Sequence, residues 1–85
     1  MNDFYVKAWY PGQDSALDNP MLTAWYGTAE AARQDYDWRK TVKDMPPSFH
    51  TPFKELPSLY SCLELGSEDG GPLLVWYAEQ MKERV

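Results

Sequence analysis

Three Trp-Tyr pairs constrain this chain more than any other feature: Ala8-Trp9-Tyr10, Ala24-Trp25-Tyr26 and Val75-Trp76-Tyr77. Aromatic residues make up 15% of only 85 positions. Aromatic and β-branched side chains favour a pleated surface and pair across neighbouring strands, so each Trp-Tyr pair marks a strand. A chain of this length buries only about 60% of its unfolded surface. Its core is therefore limited to one sheet with one or two helices. The spacings between the pairs share no period, which excludes a repeat array.

The first strand is expected over residues 3–10, with Phe4, Val6, Ala8 and Tyr10 on one side and Tyr5, Lys7 and Trp9 on the other. Pro11-Gly12 stops it, and residues 11–20 carry loop chemistry. A second strand is expected over 21–26. Gly27-Thr28 then opens a helix: Thr28 suits an N-cap, Glu30 an acidic first turn, and Ala29, Ala31 and Ala32 are strong helix formers. This helix is expected from 29 to about 44, ahead of Pro46-Pro47. Helical spacing groups Ala31, Trp38, Val42 and Met45 as its core stripe, with Ala32 and Tyr36 on the flank. Asp35 and Arg39 form an i,i+4 pair.

Residues 44–58 hold four prolines and read as an extended connector anchored by Phe49 and Phe53. A third strand is expected over Leu59–Leu65, followed by the turn Gly66-Ser67-Glu68-Asp69-Gly70-Gly71-Pro72. Residues 73–79 read as a fourth strand, with a frayed or helical tail after it. The fold class is a single α+β domain over 1–85, with four antiparallel strands in ββαββ order.

Net charge is −5, from 13 acids and 8 bases, and it is segmental. Residues 1–37 carry −4, residues 38–54 carry +3, and residues 55–85 carry −4. An acidic chain repels a phosphate backbone, which argues against direct nucleic-acid binding. Arg39, Lys40 and Lys43 gather where the expected helix ends, a placement that suits the helix dipole. The longest apolar run, Leu73–Ala78, is far shorter than the ~20 residues a membrane helix needs. Met1-Asn2-Asp3 starts no basic or long apolar stretch, so no secretory signal is expected. Cys62 is the sole cysteine, which fits a reducing, cytoplasmic setting.

Catalytic chemistry is thin. A nucleophile needs a base, and the one histidine, His50, lies in the connector, while Cys62 sits within a regular strand alternation where structural thiols are common. A Cys62–His50 enzyme or ligand site is one alternative reading. One Cys and one His give no zinc framework, and neither Asp14/Asp18/Asn19 nor Glu68/Asp69 has calcium-loop spacing. The glycines at 66, 70 and 71 bracket acids, which would repel a phosphate. No cofactor and no metal are expected.

The aromatic surplus points to binding. One helix covers one face of a sheet, yet strand 1 is aromatic or apolar on both. Some of Tyr5, Trp9, Tyr26, Tyr60 and Trp76 are therefore exposed, or covered by the connector or by another chain. Exposed Trp and Tyr dominate protein interfaces. The expected activity is non-catalytic protein binding, with Tyr5 and Trp9 as anchors and Asp14, Asp18, Glu68 and Asp69 facing a basic partner surface. A homodimer burying the aromatic face is the other binding reading.

The short first strand, the Gly27-Thr28-Ala29-Glu30-Ala31-Ala32-Arg33 helix start and the closing hairpin together resemble small acidic phage-encoded proteins, among them anti-CRISPR inhibitors. The likeness covers most of the chain as layout. It implies an inhibitor that docks on a nucleic-acid-handling complex, and it carries over no individual residues.

Overall fold

A computed structural model describes residues 2–42, 58–78 and 82–84. Strands β1 (Phe4–Trp9) and β2 (Leu22–Tyr26) are followed by helix α1 (Ala29–Arg39), then by β3 (Cys62–Ser67), β4 (Gly71–Tyr77) and β5 (Lys82–Arg84). All pairings are antiparallel, in the order β2-β1-β3-β4-β5. The ββαββ order is as expected from sequence. The helical tail is not: residues 82–84 add a short fifth strand on β4, because β4 would otherwise leave its outer backbone groups unpaired. Strand 3 also begins later than expected, at Cys62. Leu59 and Tyr60 are buried ahead of it, outside the strand.

Register fixes two faces. Val6, Ala8, Leu63, Leu65 and Trp76 share the face under α1 and form the core with Ala32, Tyr36, Leu59, Tyr60 and Ala78. The opposite face carries Tyr5, Lys7 and Trp9 from β1, Thr23 and Trp25 from β2, and Cys62, Glu64 and Gly66 from β3.

Thr28 caps α1, its Oγ1 accepting from the Ala31 amide at 3.1 Å. The helix stops five residues earlier than the prolines suggest. The Thr41 amide and hydroxyl both donate to the Trp38 carbonyl, and the Ser58 hydroxyl takes the Arg39 carbonyl, so side chains satisfy the last turn's acceptors. Lys43, Met45, Phe49, His50 and Phe53 lie outside the described residues.

Trp38 is the clearest correction. It is 58% exposed, and Tyr36 is fully buried in its place. The face that meets the sheet is Ala32, Asp35, Tyr36 and Arg39, at i, i+3, i+4 and i+7. Trp38 lies about 200° around the helix from Tyr36. The sequence pattern missed this face because two of its members are charged. Arg39 and Asp35 pair at 2.8 Å, with side chains only 12% and 13% exposed. Arg39 also donates to the Tyr60 hydroxyl at 2.8 Å. The Tyr26 phenol faces the same pair; burial raises its pKa first, and Asp35 raises it further. A buried pair with these extra partners meets the hydrogen-bonding needs that would otherwise exclude it from a core. Trp38 is left outside, its ring 5.7 Å from the Arg39 guanidinium.

Candidate functional site

The face opposite α1 is covered in one half and open in the other. The covered half surrounds Trp9, which is 4% exposed, and Cys62 beside it. The cover is the β1–β2 loop. Pro11 is buried, and the Trp9 indole Nε1 donates to the Asp18 carbonyl at 2.9 Å. The loop holds its own shape: Asp14 Oδ1 accepts from the Ala16 amide, Asp18 Oδ2 accepts from the Asp14 amide, and Gln13 Oε1 accepts from the Tyr10 amide. Aspartates favour such turns because their short carboxylates reach nearby amides.

The open half centres on the row Trp25, Tyr5, Gly66 and Pro72, read across β2, β1, β3 and β4. Tyr5 is 6% exposed and lies across Gly66. A Cβ at Gly66 would collide with the Tyr5 ring and stand 2.6 Å from the Gly71 carbonyl, so only glycine admits this approach. The Tyr5 hydroxyl donates to Glu64 Oε2 at 2.7 Å; burial, and then this bond, raise its pKa. Trp25 packs edge-on against Tyr5 at 5.5 Å, and the Lys7 ammonium sits 4.8 Å from the Tyr5 ring. Trp25 remains 45% exposed. A register shift opposite Leu65 and Gly66 leaves Leu73 as the extra residue of β4, and it is 43% exposed. Trp25 on β2 and Leu73 on β4 are thus exposed large apolar residues on strands three spacings apart, about 14 Å.

Tyr5 and Trp9, expected as anchors on the surface, are therefore buried, and the large apolar side chains left exposed on β2 and β4 are Trp25 and Leu73. The sequence did hold a signal for Trp25, since it belongs to the second Trp-Tyr pair. It held none for Leu73, which falls at the register shift of β4.

The four acids named from sequence separate into two groups. Glu68 and Asp69 are exposed in the β3–β4 turn, and the Glu68 amide donates to the Asp3 carbonyl at 2.8 Å. That turn adjoins the Trp25–Leu73 end of the face. Asp14 and Asp18 belong to the loop at the other end of β1, about 20 Å away by strand length. They build the Trp9 cover.

Three of the bases, Arg33, Arg39 and Lys40, are ion-paired within the molecule. Arg33 pairs with Asp37 and Glu83, Lys40 with Asp37 and Glu83, and Arg39 with Asp35. Among the described residues no ion pair involves Asp3, Glu30, Glu68 or Asp69. The turn acids Glu68 and Asp69 therefore stand beside the patch without an ion-pair partner among the described residues, while the Lys7 ammonium lies over the Tyr5 ring on the same face.

For chemistry, the Cys62 thiol is 3% exposed and burial pushes its pKa up, with Ser15 opposing as a hydrogen-bond partner. A thiol held protonated under the β1–β2 loop is a poor nucleophile. His50 lies outside the described residues. Among the described residues no three His, Cys, Asp or Glu side chains come together as a metal site, and no helix is long and apolar enough to cross a membrane. No family model, curated protein or solved structure matches this chain.

Proposed function

We propose that this protein is a non-catalytic acidic binding module that docks on a basic surface of a protein partner. Trp25 and Leu73 supply the apolar anchor, and Asp3, Glu68 and Asp69 supply the charged rim. The observation that carries this reading is the asymmetry of charge engagement: Arg33, Arg39 and Lys40 are ion-paired internally, while the acids beside the open patch are not. A groove built to receive a nucleic-acid backbone is basic, so a nucleic-acid-handling complex suits such a module. Inhibition by occupying that groove is the action this implies, in keeping with the layout resemblance to anti-CRISPR proteins.

Cross-linking mass spectrometry from the native cell would identify the partner, and binding kinetics would then test the surface. Reversing Glu68 and Asp69 to Lys should slow association and flatten its salt dependence, because rim charges steer encounter. Trp25→Ala should speed dissociation, at a cost of about 1–2 kcal/mol for an interface anchor. Salt-independent binding, or full affinity in Trp25→Ala, would refute this surface. Cys62→Ser should bind normally, and loss of function in that folded variant would move the Cys62–His50 alternative to the front.

A further inference from the structure

The two edges of the sheet are built differently. β5 is three residues long and every residue is charged: Lys82, Glu83 and Arg84. Short, charged strands are the usual protection of a sheet edge. β2, at the other edge, is five residues long and carries no charge, no proline and no bulge. It lies within Asn19–Ala29, eleven consecutive uncharged residues and the longest such stretch in a chain of net charge −5. Among the described residues β2 pairs with β1 alone, and Thr23 and Trp25 are both exposed. Met21, at its start, is 56% exposed, as is nearly half of Trp25.

We propose that the β2 edge is the surface on which two copies of this chain pair, antiparallel about a two-fold axis at Ala24, joining two sheets into one of ten strands. In that register Leu22 faces Tyr26 of the second copy, Thr23 faces its Trp25, and Ala24 faces its own equivalent. A two-fold interface must be complementary to itself, so any charged residue on the axis would meet its own sign. β2 meets this requirement, in a protein whose overall charge would otherwise drive copies apart. The Thr23–Trp25 contacts, made twice, are favourable cross-strand pairs. A basic foreign strand would gain nothing here from charge, because the nearest acids lie beyond both ends of this segment. Trp25 takes part in both this edge and the proposed docking face, so the cysteine substitutions at Thr23 and Ala24, which leave Trp25 in place, are what separate the two readings.

Sedimentation velocity on the full chain should show a concentration-dependent monomer–dimer equilibrium. Thr23→Lys with Trp25→Lys places like charges opposite each other and should weaken association by about tenfold or more, with circular dichroism unchanged. Mixing that protein with Thr23→Glu/Trp25→Glu should restore a heterodimer. Ala24→Cys should form a disulfide dimer under mild oxidation, since directly opposed strand positions have suitable Cα spacing, while Thr23→Cys should not. The cysteine pair decides the matter even if the charged variants do not fold. A monomer at every concentration overturns the proposal, as does a dimer in which Thr23→Cys cross-links as readily as Ala24→Cys.

Discussion

One face of the sheet lies under helix α1 and the other under the β1–β2 loop, and the two covers are held in opposite ways. The helix is fixed by what it buries. Tyr36 is fully enclosed, its hydroxyl donates to Glu83 Oε2 at 3.2 Å, and the Asp35–Arg39 pair locks against Tyr60. The loop is fixed mainly by bonds to itself, through Asp14, Asp18 and Gln13, and it reaches the sheet through Pro11, Ser15 and the Trp9 indole. A regular element can bury a whole stripe, because its backbone hydrogen bonds are already made. A loop covers only as far as its own turns allow, which is why the Trp25–Leu73 half of the second face stays open.

The comparison breaks most visibly at Tyr36. Tyr36→Ala should cost about 3–5 kcal/mol, enough to unfold a domain of ordinary stability. Urea denaturation showing a loss below about 1 kcal/mol would mean that the helix is not the main closure of the core.

Trp9→Phe removes the indole donor while keeping most of the ring volume, and should cost about 1–2 kcal/mol. The effect should be local. Hydrogen exchange should accelerate at residues 13–18 while β1 and β3 keep their protection. Uniform acceleration across the sheet would show that the loop and helix faces are one cooperative unit.

A smaller effect separates the faces by pH. The Lys40 ammonium, with Tyr36 and Arg33, holds the Glu83 carboxyl below its ordinary value. A depressed folded pKa contributes stability that is fully present above the unfolded glutamate value of about 4.3 and is lost as pH falls through the folded one. Glu83→Gln should therefore flatten the acid limb of the stability curve below that pH. An unchanged acid limb would remove Glu83 from the helix closure. The smallest effect belongs to the open half: Leu73→Ala should shift stability by only about 0.5 kcal/mol, as for most surface positions. A loss above about 2 kcal/mol would place Leu73 in the core.

The candidate site was legible only in part. The turn acids Glu68 and Asp69 are exposed as their loop chemistry suggests. Tyr5 and Trp9 stand on the face opposite the helix, as strand alternation requires. Their burial was not legible, because it depends on Gly66 admitting the Tyr5 ring and on Asp18 offering its carbonyl to Trp9, contacts spanning up to 61 positions of chain. The fate of Trp38 was hidden for a related reason. A stripe chosen by hydrophobicity passes over Asp35 and Arg39, whose burial depends on Tyr26 and Tyr60 being there to receive them.

What the sequence determined by itself was local: two opening strands, a helix begun at Thr28, a hairpin turned at Glu68–Gly71, and the α+β class these compose. Backbone propensity, capping and turn chemistry act over a few residues, so they can be read directly along the chain. The tertiary structure alone decided which side of α1 faces inward, that the β1–β2 loop covers Trp9, and that residues 82–84 add a fifth strand. Each of those outcomes turns on polar groups finding partners outside their own element: Tyr60 for Arg39, the Asp18 carbonyl for Trp9, and the β4 backbone for residues 82–84. Burial of a charge or an indole N–H is favourable only once that partner is in place.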